Sequence, residues 1–155
     1  MSDQNGTASF LPFASIIAFV ISYGPAWLTL DSSQITPTGG DAVIAFHGSM
    51  KISIDAFSGT LAVGPLTMPI WLIITLGIIG VVMSIPQVRA ATSAPRFLSI
   101  AVVGFVAGFL AVNGVSLIAE GVMPNFGYLF AIAATVMGLI HAIRSPQETA
   151  VAATE

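Results

Sequence analysis

Residues 97–119 read FLSIAVVGFVAGFLAVNGVSLIA, without one charged side chain. Crossing the hydrocarbon core of a bilayer takes ~20 apolar residues of helix, within a range of ~17–25. This stretch has that length, and lipid offers no partner for unpaired backbone groups, so it must be helical. Three further segments share its character: residues 10–30, 66–85 and 126–143, the last near the short limit.

The whole composition agrees. Of 155 residues, 55% are apolar and 7% are Asp, Glu, Lys or Arg, against about 25% charged residues in a soluble domain. Four basic and seven acidic side chains cannot cover a water-facing surface, so lipid must solvate much of the exterior. The expected fold class is an all-α membrane protein: a four-transmembrane-helix bundle with a small β-hairpin or meander in the extracytoplasmic loop between the first two helices. The remaining segments are an N-terminal tail at 1–9, a loop at 31–65, a second loop at 86–96, a short outer loop at 120–125 and a disordered tail at 144–155.

The tail before the first segment, MSDQNGTAS, lacks Lys and Arg, and the apolar run is longer than the ~7–15 residues of a signal-peptide core. It is therefore expected to stay as a true helix. Pro12 is tolerable near a helix start, whereas Pro25 should kink or end the helix. Arg89, Arg96 and Arg144 fall on one side of the four spans and Lys51 on the other. Basic residues concentrate on the cytoplasmic side, which places both termini there, with a bacterial inner membrane the setting the composition suits. Trp27 and Trp71 then fall near the outer water–lipid boundary, where indole rings prefer to sit.

The loop at 31–65 has a different pattern. Met50, Ile52 and Ile54 alternate with Lys51, Ser53 and Asp55, the period of a strand with one covered face. Ala42–Phe46 is a second candidate strand, Gly48-Ser49 suits a tight turn, and Thr60–Val63 is a third short strand. Two strands alone are marginal, so this sheet is expected to rest on helix ends or on a partner.

Small residues recur at helix-packing spacing: Gly77, Gly80 and Ser84 in the second segment, Ala101, Gly104, Gly108 and Ala111 in the third, and Gly127, Ala131, Ala134, Gly138 and Ala142 in the fourth. Missing side chains let helix backbones approach closely in lipid. Such faces serve packing within the bundle or assembly with other subunits or copies. Asn113, Ser116 and Glu120 share a face of the third helix, roughly opposite Gly104. Asn113 is expected to make an interhelical hydrogen bond, worth ~0.6 kcal/mol on average, with a cofactor contact as the alternative. Glu120 reads as a solvated helix-end residue. His141 lies three residues after Gly138, close to the small-residue stripe. It is a candidate ligand for haem or for the magnesium of a chlorophyll-type pigment, weighed against interfacial hydrogen bonding near Arg144. Bis-histidine haem would need a second intramembrane histidine; His47 belongs to the outer loop, across the membrane, so a partner subunit would have to supply it.

No helix carries a charge near its centre, which argues against an autonomous pump or coupled transporter, and no inverted repeat is evident. HExxH, GxSxG and P-loop patterns are absent. Cysteine is absent as well, which removes disulfides and thiolate sites. Asp31, Asp41, Asp55 and His47 share the outer side without a spacing that builds a site. No basic run is present, so no nucleic-acid partner is expected. The layout resembles that of tetraspan junction proteins such as claudins; their paired loop cysteines and Trp signature have no counterpart, and no functional residue carries across.

The functional expectation is a non-catalytic accessory or structural subunit of a larger membrane complex, respiratory or photosynthetic in type, in contact with lipid and with lipid, quinone, carotenoid or pigment held by apolar contact. The alternatives are a homo-oligomeric channel or carrier, and a small membrane haem protein or enzyme using His141.

Overall fold

The computed structural model describes residues 4–31, 51–120 and 122–144. The chain is mostly helical with small sheets, in the order α1 (Gln4–Ser22), β1 (Leu28–Asp31), β2 (Lys51–Ile54), β3 (Thr60–Val63), β4 (Leu66–Pro69), α2 (Ile70–Ser84), α3 (Pro86–Thr92), α4 (Arg96–Ala119), β5 (Met123–Pro124) and α5 (Phe126–Arg144). α4 and α5 are each long and apolar enough to cross a membrane, and their bounds fall within one residue of the expected segments.

The other two expected spans are cut shorter. α1 ends at Ser22 rather than near residue 30, and Leu28–Asp31 is a strand. Gly24 and Pro25 cause the break: proline has no N–H to donate, and it disfavours helical geometry in the residue before it. The apolar part of α1 with described side chains, Phe10–Ser22, is shorter than a span. Pro12 lies inside α1 rather than near its start, because the helix begins at Gln4. α2 begins at Ile70, since residues 66–69 pair as a strand, and it ends at Ser84. Ile85 is extended (φ −70°, ψ 125°) ahead of Pro86, and α3 leaves at 88° to α2 through what was expected to be a plain loop. The count of membrane-crossing candidates is therefore two, or three if α2 and α3 form one bent span.

The sheet also differs from a single meander. β1 is central in a three-stranded antiparallel sheet, flanked by β2 (Leu28 opposite Ile54) and by β5 (Leu28 opposite Pro124). β3 does not join it. It pairs with β4, Thr60 opposite Pro69, through a turn at Gly64 whose φ of +57° lies in the left-handed region that glycine adopts without penalty. β4 falls where the sequence predicts the start of the second span, and β5 falls in the expected short outer loop. The expected strand at 42–46 and the turn at 48–49 lie outside the described residues.

These strands rest on helix ends, and the backbone shows how. The first N–H groups of a helix have no partner within it, and Pro69 offers no side-chain cap to α2. The turn after β2 fills the gap: Ile70 N donates to Gly59 O and Trp71 N to Ala56 O, both at 3.0 Å. At α5, Asn125 Oδ1 accepts from Phe126 N at 2.8 Å, and Gly127 N donates to Ala26 O at 3.1 Å. Asn125 also donates from Nδ2 to Thr29 Oγ1 at 2.9 Å, tying β1 to the head of α5.

α1 packs against α5 and α2, and α4 against α2 and α5. Phe19, Ile73, Ile74, Val81, Val103 and Val106 fill the space between them. Trp27, expected at the lipid boundary, is wholly buried. Its indole N–H donates to Ser22 O at 2.7 Å, and its ring meets Tyr128 edge-on at 5.7 Å. The exterior inverts the pattern of a soluble protein, for Phe10, Phe13, Phe105, Val112, Val136 and Ile140 all face outward along the helices. An apolar surface of this extent marks contact with a membrane or another protein. The helices are those of a protein compatible with membrane association.

Candidate functional site

The small-residue positions divide into two groups. A methyl group added at Gly77 would collide with the ring of Phe19, and one at Gly80 would sit 2.7 Å from Val103 Cγ2. At Gly127 it would meet Trp27 Cδ1 at 2.5 Å. At Gly138 it would meet Val81 Cγ2 at 2.5 Å and Ser15 Oγ at 3.0 Å. Ala131 is fully buried. These residues are consumed by packing inside the chain. Gly104 and Gly108 are not: among the described residues an added Cβ at either finds nothing within 4 Å, and Ala101 and Ala111 along the same line are exposed. α4 thus carries an outward groove of small residues, opposite the face that packs on α2 and α5.

Polar groups in the helices are tied largely to backbone carbonyls. Ser15 Oγ donates to Ala134 O across the α1–α5 contact at 2.6 Å. The Tyr128 hydroxyl donates to Leu110 O, joining α5 to α4. Thr135 turns back to Ala131 O within its own helix at 2.6 Å. Asn113 does likewise: it is 4% exposed, and its Nδ2 donates to Phe109 O at 3.0 Å on α4 itself rather than on a neighbour. Ser116 and Glu120 do not share its burial; both are exposed. The interhelical bonds expected of Asn113 come instead from Ser15 and Tyr128. Only knowledge of which helices are neighbours could have singled out those two among the other hydroxyls.

His141 is 6% exposed and lies in the last turn of α5, on the inward side with Gly138 and Ala142. The carbonyls of that turn are held by Arg96, whose Nε donates to Ala142 O at 3.3 Å and whose Nη2 donates to Ile143 O. A cation at a helix C-terminus also complements the helix dipole. Among the described residues no three His, Cys, Asp or Glu side chains gather as a metal site. His47, Asp41 and the side chain of Asp31 lie outside the described set. Asp55 serves a turn: its Oδ1 accepts from Phe57 N at 2.9 Å and from Ser58 N and Ser58 Oγ at 2.8 Å each. Those bonds, the Ser58 N–H first, hold its carboxyl below the usual value of 3.8.

The two ends of the molecule are chemically distinct. Arg89 on α3, Arg96 at the head of α4 and Arg144 at the tail of α5 share one end. The strands, Trp27, Trp71 and Glu120 share the other. At that second end, Tyr23, Phe57 and Trp71 line an open cleft of about 390 Å³, a gathering of residues far apart in sequence, with Phe57 in the expected strand-bearing loop. Comparison with protein-family models, curated proteins and solved structures finds no match to this chain, so its own residues carry the functional reading.

Proposed function

We propose that this chain is a non-catalytic structural subunit of a larger integral membrane assembly. In this reading α1, α2 with α3, α4 and α5 form a four-span bundle with both termini on the cytoplasmic side. Arg89, Arg96 and Arg144 at one end support that orientation. The observation that carries the reading is the open groove at Gly104 and Gly108. In lipid, close helix contact replaces the hydrophobic drive available in water, and a glycine face left empty inside the chain is suited to a helix from outside it. A respiratory or photosynthetic complex of a bacterial inner membrane is the setting that composition favours, with lipid, quinone, carotenoid or pigment held by apolar contact.

A second copy of the chain would fit the same groove. The channel version of that arrangement is less favoured, because Asn113, the side chain that would line its path, is turned into the protomer. Mild native purification, followed by mass spectrometry of accompanying chains and a visible absorption scan, tests the proposal. Co-purifying membrane subunits are expected, and Gly108→Ile is expected to release them while the chain stays folded. A monodisperse monomer with neither protein nor pigment attached would end this reading.

A further inference from the structure

The cleft at the strand-bearing end is built from three rings whose positions are fixed by different parts of the chain. Tyr23 follows α1, and its hydroxyl meets Thr75 Oγ1 at 2.8 Å and Trp71 O at 3.1 Å. Phe57 stacks on Tyr23, with centroids 5.5 Å apart and planes at 26°, and is presented by the turn that Asp55 closes. Trp71 stands in the first turn of α2 and is 42% exposed, while Phe57 is 72% exposed. The polar tip of Tyr23 is therefore occupied by the protein, and what the cleft offers a ligand is ring surface. Tyr23 and Phe57 are held against each other before any ligand arrives, which lowers the ordering cost of binding.

Ring faces are negative and attract cations, most of all quaternary ammonium groups seated among several aromatics. The charge nearby has the matching sign. Asp55 is exposed and its carboxylate accepts from Phe57 N, while the described arginines lie at the opposite end and Lys51 stands at the far end of β2. An anionic ligand would meet a carboxylate there, and a neutral apolar one would gain area without using the charge.

We propose that Tyr23, Phe57 and Trp71 form a binding site for the ammonium-bearing headgroup of a membrane lipid. The inference rests on the membrane placement proposed above: the cleft lies at the outer ends of α1 and α2, which that placement puts at headgroup depth. It does not depend on the assembly role.

The test uses the full chain in maltoside micelles, whose sugar heads carry no charge, with tryptophan emission as the readout. Three probes are titrated: a short-chain phosphocholine lipid, a phosphoglycerol lipid of equal chain length, and tetramethylammonium chloride. Saturable changes are expected with the first and third, and at least about fivefold weaker binding with the second. Trp71→Phe should abolish the signal, since Trp27 is buried away from the cleft. Phe57→Leu keeps an apolar side chain at an exposed turn and should weaken binding about fivefold. Equal binding of the two lipids, an unchanged Leu variant, a signal that survives Trp71→Phe, or no response to any probe would each overturn the site. Saturation by tetramethylammonium without phosphocholine lipid would overturn the lipid source in favour of a water-borne cation. Failure of the membrane placement is read separately, as a chain that stays in the aqueous fraction without detergent.

Discussion

Gly138 on α5 and Gly108 on α4 occur in similar surroundings of sequence, each within an apolar helix and in a row of small residues. Their fates are opposite. Gly138 lies where α1, α2 and α4 converge, with Ser15 and Val81 against its backbone, whereas Gly108 faces open space. The difference teaches that small-residue spacing marks where a helix can be approached closely, and leaves open whether the approach comes from within the chain. In this molecule one motif has been used up by folding and the other remains for something else.

The comparison is broken most severely at the head of the filled face, where Trp27 sits against Gly127. Trp27→Ala should cost about 3–5 kcal/mol, from the cavity left by a wholly buried indole, seen as a large drop in the thermal midpoint followed by circular dichroism in detergent. Gly138→Val should cost about 1–3 kcal/mol by overpacking against Val81 and Ser15, read by the same melt. Gly108→Val sharpens the contrast. It should move the melt by less than about 0.5 kcal/mol, yet shift the assembly to smaller size on native electrophoresis. A Gly108 variant that melts as early as the Gly138 variant would show that the groove is filled within the chain after all.

The smallest effect separates the turn from the helices. The carboxyl of Asp55 is held below 3.8 by the N–H groups and hydroxyl around it. A carboxyl depressed in the folded state stabilises it above the unfolded value and loses that contribution as pH falls through the folded one. Wild type and Asp55→Ala should therefore differ at neutral pH and converge below about pH 3.8, measured by melting each across the acid range. Because Asp55 is fully exposed, the glycine contrast should persist unchanged through the same titration.

How much of this was legible in the sequence follows from what hydropathy measures. The bounds of α4 and α5 were readable because their apolar runs are uninterrupted and nothing competes for those residues. The ends of α1 and α2 were misplaced because Leu28–Leu30 and Leu66–Met68 are apolar as well, and a short apolar run is equally a buried strand or a piece of helix. Pro25 marked the first of these limits, as expected. For the second, Pro69 is the local signal, and it sits inside an apolar run that masks it. The inward setting of His141 followed from its offset to Gly138, a local relation along one helix. The division of the glycines and the gathering of Tyr23, Phe57 and Trp71 depend on neighbours distant in the chain, and no local pattern encodes them.

Under the proposed membrane placement, the brevity of α2 has a consequence for the surrounding lipid. Fifteen residues rise about 22 Å at 1.5 Å each, whereas an average hydrocarbon core is about 30 Å thick. Trp71 and Ile79 face outward on this helix; in the proposed four-span arrangement the bilayer would pinch inward on that flank and keep its full depth beside the 24-residue α4. A molecule that sets short apolar helices beside long ones carries a directional elastic strain. Such strain favours thinner membranes, and it gives the molecule a reason to bring its short flank against another protein that shields it from lipid.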